Sequence, residues 1–81
     1  MGKKVFYGVR GALEKLTPDQ KASVYYYNHT VSRYASESEN SRCAMEWLAL
    51  TKSEATGYLK GLKAAGIISE TDFRCLNAYI N

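Results

Sequence analysis

The sequence predicts one domain, residues 1–81, that is mostly α-helical with a small β element. Its 81 residues leave no room for a second core. Helix-start patterns recur along the chain, and each is followed by apolar residues at helical spacing. The N-terminal segment, in contrast, is rich in β-forming residues. An all-α helical bundle that ends in a helical hairpin is the alternative, because the last segment fits either a strand or a helix.

The composition is typical of a folded protein with moderate positive charge. Hydrophobic residues make up 46% of the chain and charged residues 23%, which argues against disorder. The net charge is +3 and the pI about 8.9, just short of the value expected for a strongly basic nucleic-acid-binding domain. Nucleic-acid binding would therefore require the cations to lie together on one face.

Catalytic and metal-binding patterns find little support in the sequence. Cys43 and Cys75 have no second pair and no histidine cluster beside them, so we expect no metal site and no cofactor. We expect reduced, packed thiols in a cytoplasmic protein, with a disulfide as the alternative. His29 is the only histidine, and no cysteine or carboxylate lies at a spacing typical of a catalytic pair, so we do not expect the protein to be an enzyme. No signal peptide or apolar run of membrane length is present, so we expect no membrane partner.

The first half of the chain predicts a strand and two helices. Residues Lys4–Tyr7 favour a short strand, although a helical stripe also runs through this region. A short helix is expected near Arg10–Leu16. Thr17 and Pro18 then start a long helix that should end near residue 36. Its predicted buried stripe comprises Val24, Tyr27, Val31 and Tyr34.

The segment 41–68 predicts two helices that meet at a tight turn. Ser41 is the N-cap of the first helix, and its neighbours place Trp47 on the buried face. Thr51 is the expected N-cap of the second helix, since Glu54 three residues later completes a capping box. Gly66 provides the left-handed residue that ends this helix.

Two interpretations of the C-terminal segment compete. In the first, 66–69 and 73–80 form antiparallel strands, which would give the N-terminal strand a partner. In the second, Ser69 caps a final helix with Asp72 at its third position, and Phe73, Leu76 and Ile80 form its buried stripe. We favour the strands.

The run Leu48–Leu50, Thr51–Ala55, Leu59, Leu62 and Ala65–Ile68 resembles the helix-turn-helix of winged-helix proteins. The order of strand, short helix, long helix, paired helices and strand pair is similar to the winged-helix domains of phage and plasmid replication initiators and related regulators. This resemblance implies a small DNA-binding module, a regulator or accessory protein of a phage or other mobile element. Because no separate dimerisation helix is present, we expect a monomer, or a weak homodimer that pairs through the tyrosine-bearing helix.

The resemblance also implies which residues contact double-stranded DNA. The second helix of the motif would enter the major groove, with Arg74 as the cation of the wing and Arg42 near a phosphate. Glu54 and Gly57 depart from the family pattern. The implied contact residues of the reading helix are Lys52, Ser53, Thr56, Gly57 and Lys60.

A protein-binding adaptor or inhibitor is the alternative function. Tyrosines are over-represented at interface hot spots. Tyr25, Tyr26 and Tyr27 follow one another on one helix and cannot all point inward, so at least one is exposed, and Tyr25 and Tyr26 are the expected interface tyrosines. Gly57 and Gly61 lie one helical turn apart and would let a partner approach the backbone closely. The tail also resembles the short helical-hairpin modules found at the C-terminus of bacterial proteins.

Overall fold

The computed structural model describes residues 2–81, with side chains from residue 8 onward. It contains four helices: α1 (Gly2–Glu14), α2 (Pro18–Glu37), α3 (Arg42–Ala64) and α4 (Glu70–Ile80). Because residues 2–81 contain no strand, the predicted β element is wrong and the all-α alternative is confirmed. No helix in this part of the chain is both long enough and apolar enough to span a membrane.

The N-terminal segment is one helix, α1, where a strand over Lys4–Tyr7 and a separate short helix were expected. Its helical stripe decides the outcome, because it has a partner surface on α4. Val9 and Leu16 are buried and Leu13 is half-buried, which is the spacing of a helix with one covered face. Packing therefore overrides the β propensity of the residues before Gly8.

Helix α2 forms as predicted. Thr17 accepts a hydrogen bond from the backbone N–H of Gln20, and the Gln20 side chain returns one to Thr17, with Pro18 at the first helical position. Val24 and Val31 are buried on the side that faces the core. The helix continues to Glu37, within a residue of its predicted end.

Helix α3 corrects the prediction of a helix-turn-helix. The chain remains helical through Leu50 and Thr51, so the two predicted helices are one helix of 23 residues. No glycine or proline lies between Ser41 and Thr51, and nothing else there ends a helix. Thr51 is buried inside α3, so the capping-box pattern that it forms with Glu54 does not mark a helix start. The winged-helix resemblance therefore loses both its turn and its wing.

The C-terminal hairpin forms because two local signals agree. Gly66 has φ +78°, and the N–H groups of Gly66 and Ile67 donate to the carbonyls of Lys63 and Leu62, which ends α3 in a Schellman motif. Ser69 and Asp72 then form a reciprocal capping box at the start of α4. The predicted strand pair in this region is therefore wrong, and the competing final helix is confirmed.

Helix α4 packs against each of the other three helices. Leu76 is fully buried and Ile80 nearly so. Side chains from all three neighbouring parts of the chain also form hydrogen bonds or ion pairs with α4, and the Lys63–Glu70 ion pair between α3 and α4 is one of them. Three further pairs are Lys15–Asp72 beside the end of α1, Asn28–Tyr79 on α2 and Thr56–Asn77 on α3.

The core covers only one end of the α2–α3 pair. At 1.5 Å per residue, α3 is about 34 Å long whereas α4 is only about 16 Å. Beside α4, α3 contributes Ala55, Leu59 and Leu62 to the core. In its first nine residues only Ala44 is buried. Residues 32–50 therefore form a two-helix arm that extends beyond α4.

We expect Gly8 to be required for close packing of α1 on α4. A Cβ atom at Gly8 would lie 2.5 Å from the Sγ of Cys75, whereas at Gly11 it would meet nothing within 4 Å. Gly11→Ala should raise the free energy of unfolding by up to about 1 kcal/mol, through helix propensity alone. Gly8→Ala should be less stable than Gly11→Ala by about 1 kcal/mol or more in urea unfolding. When Cys75→Ala is added to both variants, Gly8→Ala and Gly11→Ala should become equally stable. Equal stability of Gly8→Ala and Gly11→Ala with Cys75 present would contradict the close contact.

Asp72 makes the stability depend on acid pH. Burial by itself would raise the pKa of this carboxyl, but hydrogen bonds from Lys15 and Ser69 and the Lys15 charge outweigh it and lower the pKa below its ordinary value. The ionised form is therefore stabilised by folding, and this contribution is present above about pH 4 and lost as the pH falls through the folded-state pKa.

Asp72→Asn should consequently lower the free energy of unfolding at pH 7 by about 1–2 kcal/mol. The difference from the wild type should shrink steadily below about pH 4, because the wild-type carboxyl is then protonated as well. Urea unfolding at a series of pH values measures both effects. A difference that does not change with pH would show that the charge of Asp72 has no part in the fold.

Candidate interaction surfaces

Five of the predicted DNA-contact residues lie together on α3. They line an open groove of about 510 Å³ with Asn81 at the end of the chain, and no acidic residue lines it. Lysine and serine side chains are groups that can bind phosphate oxygens. The five residues are Lys52, Ser53, Thr56, Gly57 and Lys60.

The groove has fewer free donors than the sequence suggests. The Thr56 hydroxyl donates to Oδ1 of Asn77 at 3.0 Å, so it is engaged within the fold. Lys52 is half-buried, whereas Ser53 and Lys60 are exposed. The available cations are therefore two lysines two helical turns apart, about 12 Å along the helix axis.

The two predicted arginine contacts do not join this groove. Arg74 lies on α4, where its Nε is 3.7 Å from a carboxylate oxygen of Glu70. Arg42 is exposed at the start of α3, ten residues before Lys52 and thus about 15 Å away along the axis. The structure therefore does not bring the seven predicted DNA contacts together as one surface.

A second surface runs along the exposed side of α3, which we call the α3 ridge. Its six residues alternate by four and three positions, the spacing that keeps side chains on one face of a helix. All six are exposed. The α3 ridge comprises Cys43, Trp47, Leu50, Glu54, Gly57 and Gly61.

Among the exposed residues of α3, Trp47 differs most from its predicted burial. We expected it in the core, yet it is 55% exposed, as is Leu50 one turn further on. Ala44, three residues before Trp47 on α3, is buried, whereas Trp47 lies on a different, exposed face of the helix. The signal that sequence reasoning missed was the length of α3, because a single helix of 23 residues outruns the short α4.

Three tyrosines border the α3 ridge. The ring centroids of Tyr26 and Tyr27 are 5.6 Å apart, and those of Tyr27 and Tyr58 are 5.8 Å apart, so the cluster joins α2 to α3. Burial raises the pKa of the Tyr27 hydroxyl, and the Glu54 carboxylate adds to this increase. Glu54 of the ridge therefore lies close to this tyrosine cluster, whose outer member, Tyr26, is 62% exposed.

The predicted protein-interface residues divide between two faces. Tyr25 lines a groove of about 330 Å³ with Val9 and Tyr79, away from the α3 ridge. Tyr26 belongs to the tyrosine cluster. Gly57 and Gly61 lie on the ridge, and a Cβ atom at either would meet nothing within 4 Å. No contact within the described chain therefore explains this pair of glycines.

The cysteines are free thiols in different surroundings. Cys43 is exposed on the α3 ridge, so the expectation of a packed thiol is wrong for this residue. Cys75 is half-buried on α4 beside Gly8. The described side chains contain no group of three or more residues that could hold a metal ion.

The chain was compared with protein-family models, curated proteins and solved structures, and any inference about its function depends on its own surfaces. No protein-family model, no curated protein and no solved structure matches the chain.

Proposed function

We propose that this protein is a protein-binding module, an adaptor or inhibitor that docks through the α3 ridge and the adjoining tyrosine cluster. The observation that carries this proposal is the exposure of Trp47 and Leu50 on the two-helix arm. A chain of 81 residues has a small core, and each large apolar side chain left in water reduces the stabilisation that burial would provide. Docking of a partner would recover that free energy.

The composition of this surface supports a protein partner. Tryptophan and tyrosine are the residues most enriched at interface hot spots, and they supply large contact areas with few rotatable bonds. Trp47 on α3 and Tyr26 on α2 are both more than half exposed. Charge is sparse on the ridge, where Glu54 is the only ionised side chain.

Photo-cross-linking tests the proposed docking. A photoreactive phenylalanine analogue at Leu50, introduced in the cells that make the protein, should form a specific adduct with a protein. The same analogue at Ala78, which is exposed on the outer side of α4, should not. Trp47→Ala should weaken the interaction by about 2 kcal/mol, as at other aromatic hot spots, whereas Tyr25→Ala on the other face should not. Equal adduct yields at positions 50 and 78 would contradict the proposal.

A second candidate function is nucleic-acid binding through the groove around Lys52 and Lys60. The observation that favours it is the convergence of five predicted contact residues on one groove with no acidic lining. With two free lysines the contact would be weak and directed at phosphates, since base readout needs more donors than Ser53 supplies.

A salt titration of duplex binding tests this second function. The logarithm of the affinity should fall with the logarithm of salt concentration with a slope of about −2, because about two phosphates are neutralised. Lys52→Ala and Lys60→Ala should each reduce the slope by about 1. Lys21→Ala, which makes the same charge change on the far side of α2, is the control. Equal slopes for all three variants would exclude specific use of this groove.

A further inference from the structure

We infer that the partner of the α3 ridge is a second copy of this chain, paired with it antiparallel about a two-fold axis at Glu54. This inference rests on the proposed docking role of the ridge and specifies its partner. Three observations support it: the order of side-chain sizes along the ridge, the charges beside it and the area that pairing would bury.

The ridge has two large side chains, Trp47 and Leu50, just before Glu54, and two glycines after it. Trp47 lies seven residues before Glu54 and Gly61 lies seven residues after it. Leu50 and Gly57 stand in the same relation, four residues before and three after. When two copies meet antiparallel about Glu54, Trp47 of one copy therefore lies over Gly61 of the other, and Leu50 over Gly57. An isologous interface requires this kind of self-complementarity.

The two glycines gain a physical role in this arrangement. A glycine in a helix interior destabilises the helix relative to alanine. Within one copy nothing lies within 4 Å of a Cβ atom placed at either position, so no contact in the single chain requires glycine there. In the pair, the bare backbone at Gly57 and Gly61 forms a shallow socket that admits Leu50 and Trp47 of the second copy.

The charges beside the ridge are complementary in the same register. Glu46 and Lys60 are exposed on the same flank of α3, about 12 Å before and about 9 Å after Glu54 along the helix axis. A two-fold axis perpendicular to the two helices brings each flank against its own copy in reverse. Glu46 then lies beside Lys60 of the second copy, and the pair occurs twice.

Glu54 opposes this attraction at the axis, where two carboxylates meet. A charged residue at one position of a helix seam fixes the register at a cost in stability. The area that pairing would bury also indicates a weak dimer. With Trp47, Leu50 and Tyr26 each already half in contact with their own chain, pairing would bury about 1,000 Å² in total, near the lower limit for a specific interface. The dimer is therefore weak and depends on concentration.

Sedimentation equilibrium of the full chain tests the pairing. The wild type should dimerise within a range of about 5–500 μM. Gly61→Leu should weaken dimerisation at least about tenfold, because its side chain occupies the socket for Trp47, although leucine suits an exposed helix position. The double variant Trp47→Ala/Gly61→Leu should recover dimerisation, since alanine makes room for the leucine. Glu54→Gln should tighten the dimer about threefold or more by removing the like charges.

Circular dichroism of each variant confirms that the helices remain folded. A wild type that stays monomeric at about 500 μM would overturn the pairing, and so would a Gly61→Leu variant that dimerises normally. In either case, adducts at position 50 with a different protein would leave the proposed docking function intact. The absence of specific adducts at position 50 would contradict the docking function itself.

Discussion

The docking of α4 into the angle between the other three helices holds this structure together. Leu76 is fully sealed from solvent, and polar side chains on both sides of it bind the neighbouring elements: Asp72 binds Lys15, Asn77 binds Thr56 and Tyr79 binds Asn28. These contacts fix where α1, α2 and α3 lie relative to one another. The capping box at Ser69 and the left-handed Gly66 make this docking possible, because they turn the chain back onto α3 within five residues.

The exposed apolar surface of α3 follows from the short length of α4. With only eleven residues, α4 is less than half as long as α3, and the buried residues of α3 lie mostly in its second half. Apolar side chains that would lie in the core of a larger bundle thus remain on the surface of the arm. The chain thus has a packed core around α4 and an exposed apolar surface on the first half of α3.

Much of the fold follows from local signals, and the errors have a common physical origin. The start of α2 at Thr17, the stop at Gly66 and the final helix at Ser69 depend on neighbours within four residues, so sequence reasoning can find them. The continuity of α3 through Thr51 and the exposure of Trp47 depend instead on which helix covers which face. A capping-box pattern at a buried Thr51 cannot be distinguished by sequence from one at a helix start. Five of the seven predicted DNA contacts share one groove on α3 because they are close in sequence on one helix, whereas Arg42 and Arg74 do not join them.

The account therefore depends most directly on α3 being one unbroken helix. Backbone chemical shifts of the protein in solution, measured by NMR across Leu48–Lys52, test this. We expect helical Cα shifts without interruption through Leu50 and Thr51, with slowly exchanging amides at both residues. Non-helical shifts at these two positions would divide α3 into the two helices of a helix-turn-helix, and the α3 ridge would no longer be a continuous surface.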